Sequence, residues 1–306
     1  MKQNPFSLYD FLGYVIPGAF ALMLIGFFNN IESLSSLSEG YQSALSFLGK
    51  TKTNGSMSLL EETVIFIILA YIVGHIVAYL SSLTIEKFSN WVYGYPSRFL
   101  LETVPSGHYW RVGQCSTGDC GFVWPDTKEQ WLDLIWRAVI GVFLWPLSLC
   151  TYLISKKLNV KAFFVKPLDE NLITAIITKK TNLGNMLGVS DMDNGDYHRV
   201  VYHYEYELQE KHHIKMDNYV ALYGFLRAMC FIANCATLWV TYKFIFPTLK
   251  LCSQIDWGLL RVWIACILVT YILFMAFMKF YRRFTLESFM CLIVDTSIPT
   301  QSSPNP

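Results

Sequence analysis

The sequence predicts an all-α membrane protein, with four transmembrane helices around a cytoplasmic insert of mixed secondary structure. Three observations lead there. Apolar residues make up 53% of the 306-residue chain and charged residues only 15%, whereas a soluble domain covers its surface with about 25% charge. The apolar residues are gathered into runs instead of being spread with an amphipathic period. Four of those runs reach the length of about 20 residues that a helix needs to cross hydrocarbon. The net charge of +1 leaves no long-range field that would select nucleic acid or acidic partners.

The first run is FLGYVIPGAFALMLIGFF, Phe11 to Phe28, which is short but free of charge. Lys2 and the Ala19-Phe20-Ala21 spacing give it some likeness to a cleaved signal, but Pro17 and the apolar continuation favour a retained anchor. The second runs from Thr63 to Leu83. The third, Tyr219 to Phe246, carries only Arg227 and Lys243, and the fourth, Trp257 to Met278, only Arg261. A fifth segment, Ala138 to Ile154, is preceded by Arg137 and interrupted by Pro146, so it can span, re-enter or lie in the interface.

Lysine and arginine orient these spans, because positive loops stay on the cytoplasmic side. The 29–62 loop holds Lys50 and Lys52 and the 247–256 loop holds Lys250, while fourteen lysines and arginines lie between the second and third spans. Four spans with both termini cytoplasmic keep the positive stretches inside. A fifth span at 138–154 would instead place the N-terminus and residues 86–131 outside.

The chain then divides into a first transmembrane pair (1–83, with external loop 29–62), a cytoplasmic insert (84–218, including the membrane-associated 138–154), a second transmembrane pair (219–280) and a cytoplasmic tail (281–306). In the external loop Leu34, Leu37, Tyr41, Leu45 and Leu48 recur at near-helical spacing, as a surface-lying amphipathic helix requires. Within the insert, RVVYHYEYEL (199–208) alternates in the manner of a strand, with a helix as the other choice. The closing PTQSSPNP has no apolar content and reads as a disordered tail.

Tests for chemistry are mostly negative. The sequence has no Walker loop, no G-x-G-x-x-G, no H-E-x-x-H and no G-x-S-x-G elbow. Asp191, Asp193 and Gly195 approximate a calcium loop, but the glycine comes one position early and no closing glutamate follows. His203 and Glu205 have the H-x-E spacing of zinc deaminases without a following P-C-x-x-C. Cys115 and Cys120 suit a disulfide, or zinc with His108, yet no second ligand pair stands out. The chain is therefore expected to be no enzyme, with neither metal nor cofactor.

What remains are polar groups in apolar surroundings. Ala70, Gly74, Ala78 and Ser82 fall every four residues along the second span, and small residues at that spacing let helix backbones approach closely in lipid. His75 sits beside this ridge and is expected to face protein or a wet cavity, hydrogen-bonded to a neighbouring helix or lining an ion path. Asn234, central in the third span, is expected to be satisfied internally. Pro17 and Gly18 permit a kink in the first span, which with Gly26 suits a gate or tight packing. In the insert, Lys156, Lys157, Lys161 and Lys166 contain no acid between them, and Lys179 and Lys180 follow. That cluster suits anionic headgroups or a phosphorylated ligand such as a nucleotide or short oligonucleotide, with Phe163 and Phe164 to stack on bases.

Four phrases, Asp10–Ala19 (DFLGYVIPGA), Gly94-Tyr95-Pro96-Ser97, Tyr223–Arg227 (YGFLR) and Tyr281–Phe284 (YRRF), together resemble a loosely defined family of bacterial multi-pass inner-membrane proteins. Some of that design are similar to membrane effectors of anti-phage defence, such as the channel subunit of the Hailong system. The resemblance implies an inner-membrane location and a homo-oligomeric pore opened by a cytoplasmic signal. Its motifs are short and structural, so it transfers no pore residue to a position here. The residues themselves also leave open a non-conducting anchor that docks a cytoplasmic partner protein, or a small-molecule transporter.

Overall fold

The computed structural model describes residues 10–30, 59–102, 109, 127–157, 166–189, 197–208, 210–245 and 257–298. Among these the chain is helical, with no strand. Four helices are long and apolar enough to cross a membrane, Phe11–Phe28, Thr63–Phe99, His212–Lys243 and Leu260–Val294. The protein is a multi-pass, all-α membrane protein. The surface helix of the 29–62 loop, the Cys115–Cys120 pair, Lys161, the Asp191–Asp196 turn and the closing PTQSSPNP lie outside the described residues.

A π-helical stretch, Phe11–Val15, leads into α1 (Ile16–Asn30). The Ile16 N–H bonds back to the Phe11 carbonyl, five residues earlier. Pro17 follows at once and has no N–H to give the Gly13 carbonyl, so the wider π register sits where the proline already interrupts the ladder. Next come α2 (Leu59–Ser81), a second π-helical stretch (Ser82–Glu86) and α3 (Lys87–Tyr93). Gly94, at φ 81°, turns the chain into α4 (Pro96–Phe99), where Pro96 takes a first-turn position that needs no N–H.

Then follow α5 (Lys128–Phe143), α6 (Trp145–Thr151) with its π-helical end Tyr152–Lys157, α7 (Glu170–Leu187) and α8 (Tyr197–Leu208). The two long helices α9 (Glu210–Val240, then π-helical Thr241–Ile245) and α10 (Trp257–Val294) complete the order. On α5 the exposed side chains Trp131, Leu132, Ile135, Trp136, Val139 and Val142 share one face. Two tryptophans on an apolar helical face fit a membrane–water boundary.

Two compact units share the chain. Residues 1–87, 139–153 and 221–277 form one; residues 88–138, 154–220 and 278–306 form the other. In the first, α1 crosses α2 where both carry glycine. A Cβ on Gly18 would lie 2.6 Å from the Gly74 nitrogen, and one on Gly74 would lie 2.6 Å from the Tyr14 carbonyl carbon. The small-residue ridge thus finds its partner within the same chain: Ala70 and Gly74 are buried against the first span, while Ala78 and Ser82 are half-buried. Higher in the bundle the Phe28 and Trp239 rings stack at 4.2 Å.

The second unit has its own apolar core of Phe99, Leu100, Leu101, Ile176, Leu183, Tyr197, Val201, Phe289, Leu292 and Ile298. One sequence expectation changes here. The 199–208 stretch is helical, because Tyr197, Val201 and Glu205, four residues apart, are the ones buried. Residues 281–298 also join this core, through Phe289 and Leu292 at helical spacing on α10 and Ile298 beyond it. Gly188, at φ 70°, closes α7 in the left-handed conformation that favours glycine.

Candidate functional site

In lipid every backbone polar group needs a partner, so an interrupted helix there demands an explanation. Among the described residues there is one interruption of this kind. α5 and α6 meet at 89° with only Leu144 between them. Pro146 opens α6 and cannot donate to the Val142 carbonyl. Across the break, the Leu144 N–H still reaches Ile140 O at 2.8 Å, and Ser148 Oγ donates to Gly141 O at 3.4 Å.

The carbonyl at the corner, Phe143 O, accepts a hydrogen bond from Asn234 Nδ2 at 3.1 Å. Asn234 is fully buried on α9, as its central place in an apolar run requires. Its Oδ1 is buried too, with no hydrogen-bond partner among the described residues. One turn on, the Thr237 and Thr270 hydroxyls meet at 3.1 Å between α9 and α10. Trp263 Nε1 donates to Thr241 Oγ1 at 3.0 Å, and Cys230 Sγ lies 3.6 Å from Thr270 O. A polar seam therefore runs between these helices and ends on the broken segment. Phe143–Phe231 and Trp145–Trp263 ring contacts enclose it.

His75 lies elsewhere in this unit. Because Gly74 lets the Tyr14 backbone come close, the Tyr14 ring stacks on the imidazole, centroids 3.9 Å apart and planes at 18°. Tyr71 meets the same ring edge-on at 4.5 Å. Among the described residues Asn234 Nδ2 bonds to Phe143 O and not to His75, which is exposed. Pro17, Gly18 and Gly26 are buried. Arg227 forms an ion pair with Glu86.

Of the lysine cluster, the structure describes the side chains of Lys166, Lys179 and Lys180. Lys179 and Lys180 are buried, 7% and 3% exposed. Lys179 Nζ donates to the carbonyls of Asp295 and Ile298 at 2.6 and 2.7 Å, tying α7 to the end of α10. Lys180 Nζ lies 4.6 Å over the Tyr197 ring. Both ammoniums thus help to hold the second unit together. Lys166 is exposed, and its carbonyl accepts from Arg282. Lys156 and Lys157 lie in the π-helical end of α6.

Sequence reading missed Glu205. The strand alternation pairs it with His203, whereas the helix turns it inward, 1% exposed, with neither carboxylate oxygen hydrogen-bonded among the described residues. Burial first, and then the Asp295 charge, push its carboxyl up to about 7, against a smaller opposing pull from Lys179. No group of three or more potential metal ligands occurs among the described residues. Set against protein-family models, curated proteins and solved structures, the chain matches none of them.

Proposed function

We propose that this chain is one subunit of an oligomeric, ligand-gated pore of the bacterial inner membrane, an effector that breaches the membrane when signalled. The observation that carries the reading is the helix broken at Leu144, with its Phe143 carbonyl bonded by the buried Asn234. A membrane anchor needs only uninterrupted helices. Irregular backbone at membrane depth is tolerated where it is enclosed by protein or lines water, and Asn234 Oδ1, with no hydrogen-bond partner among the described residues, gives that enclosure a second polar atom.

Four spans and one broken segment are thin for a pore within a single subunit, so conduction calls for several copies about an axis. The second unit is the natural receiver of a signal, with the lysines of 156–166 as its contact to phosphorylated ligands, a nucleotide or short oligonucleotide. A ligand opens such an assembly only by binding the open form more tightly than the closed one. Cytoplasmic termini follow from the distribution of positive residues. The defence role follows from the resemblance to anti-phage effectors.

Asn234→Leu tests the reading. The change keeps the branched shape and the number of heavy atoms but leaves the Phe143 carbonyl without its donor, a loss of about 1–3 kcal/mol at a buried site. Flux through reconstituted vesicles is expected to fall at least tenfold, at unchanged oligomer size and helix content. Flux at the wild-type level would remove the broken segment from the conducting path.

A further inference from the structure

We infer that the Tyr71–His75–Tyr79 stripe of α2 is a contact surface for a second copy of this chain. The inference rests on the oligomeric reading above and deepens it by naming the face. The three residues lie four apart, so they stand one above another on the helix. His75 follows Thr63, the start of the span, by twelve positions, which at about 1.5 Å per residue is roughly 18 Å into a hydrocarbon layer of about 30 Å. The stripe is therefore at mid-membrane.

At that depth His75 and Tyr79 stand off the packed face of α2 among the described residues, with Tyr71 half-buried beside them. Ala70, Gly74, Val77 and Ser81 are the buried positions of α2, whereas His75 is exposed and Tyr79 is 64% exposed. Among the described residues the imidazole makes ring contacts with Tyr14 and Tyr71, whose stacked and edge-on arrangement satisfies no ring nitrogen. Lipid tails offer neither donor nor acceptor, so ionisable side chains in spans face protein or water. Around the stripe, Ile68, Ile72 and Ile76 are exposed as well, giving the polar groups an apolar rim.

A second copy is the occupant this chemistry fits. A neutral imidazole and a phenol each donate one hydrogen bond and accept another. A stripe made only of such groups is complementary to itself: the Tyr79 hydroxyl of one copy can donate to the imidazole of its neighbour, and the reverse. Such self-complementarity is what a symmetric interface demands. It also gives the glycine crossing a further role, because Gly74 and Tyr14 fix the imidazole plane from inside the subunit.

The test is the oligomer size of the full-length chain in lipid nanodiscs, by native mass spectrometry over a dilution series, with flux measured on the same preparations. Against wild type, His75→Leu is expected to raise the concentration at which the oligomer dissociates at least tenfold, and Tyr79→Phe to do so more weakly. His75→Gln, which keeps a donor and an acceptor, is expected to restore it. Oligomers of unchanged stability in both His75→Leu and Tyr79→Phe, with altered flux, would overturn the interface and make the stripe a lumen wall. Unchanged size and flux in both would overturn it and leave the stripe facing lipid. A wild-type chain that is monomeric would overturn it together with the pore. A wild-type oligomer indifferent to the stripe overturns this inference alone.

Discussion

Replacing Gly18 with leucine is expected to pull the first span off the second and destabilise the folded chain by about 3 kcal/mol or more, the upper part of the usual cost of overpacking. The reason is what the new side chain meets. A Cβ at Gly18 falls on the Ala70 carbonyl and within 2.6 Å of the Gly74 nitrogen; a Cβ at Gly74 falls within 2.9 Å of the Tyr14 Cα. Those neighbours are backbone atoms of a helix and cannot rotate away. Gly18→Leu and Gly74→Leu strike the same crossing, so their effects should not add. Gly224→Ala supplies the control: its Cβ meets nothing within 4 Å, and helix propensity favours alanine there by up to about 1 kcal/mol. Thermal unfolding in detergent checks the set. Equal midpoints for Gly18→Leu and Gly224→Ala would mean that the two spans do not cross at these glycines.

The second large effect is a pH dependence held in the second unit. The Glu205 carboxyl is raised from its ordinary 4.5 to about 7, chiefly by burial and then by Asp295. The folded state therefore keeps a proton that the unfolded chain has already released above pH 4.5. Stability from this group is complete below that value and is lost as pH rises through about 7, amounting to about 3 kcal/mol. The facing groups are Lys179 from α7, Asp295 beyond α10 and Cys291 on α10. Glu205→Gln mimics the protonated form and should raise the unfolding midpoint at pH 8 while leaving it nearly unchanged at pH 5. A gain of equal size at both pH values would show that the carboxyl does not titrate in this window.

Much of the membrane architecture was legible because hydrocarbon imposes so simple a rule. Twenty apolar residues without charge have few alternatives to a span, and Phe11–Phe28 and Thr63–Phe99 follow it. The ridge of Ala70 and Gly74 was legible for the same reason: only small residues at four-residue spacing permit backbones to touch. Which helix would fill it was not, since the ridge carries no mark of its partner. Asn234 announced itself as a polar atom that must be satisfied, but its acceptor, Phe143 O, is a backbone group of a segment 91 positions away.

The second unit was harder to read because its signals are weaker. An alternating YHYEYEL fits a strand as well as a helix until the partner core is known, and that core includes Phe289, Leu292 and Ile298 from the far end of the chain. Lys179 and Lys180 look like any solvated pair in sequence. Their burial depends on two carbonyls and a tyrosine ring brought by α10 and α8. Long-range contacts of this kind leave no local pattern.

The most direct measurement is ion flux from proteoliposomes carrying the purified full-length chain, with and without nucleotides and short oligonucleotides. A gated pore predicts a sealed vesicle alone and flux at least tenfold higher once one of these ligands is present. No flux under any of these conditions, from protein shown to be folded and inserted, would contradict the pore and identify the chain as a non-conducting anchor.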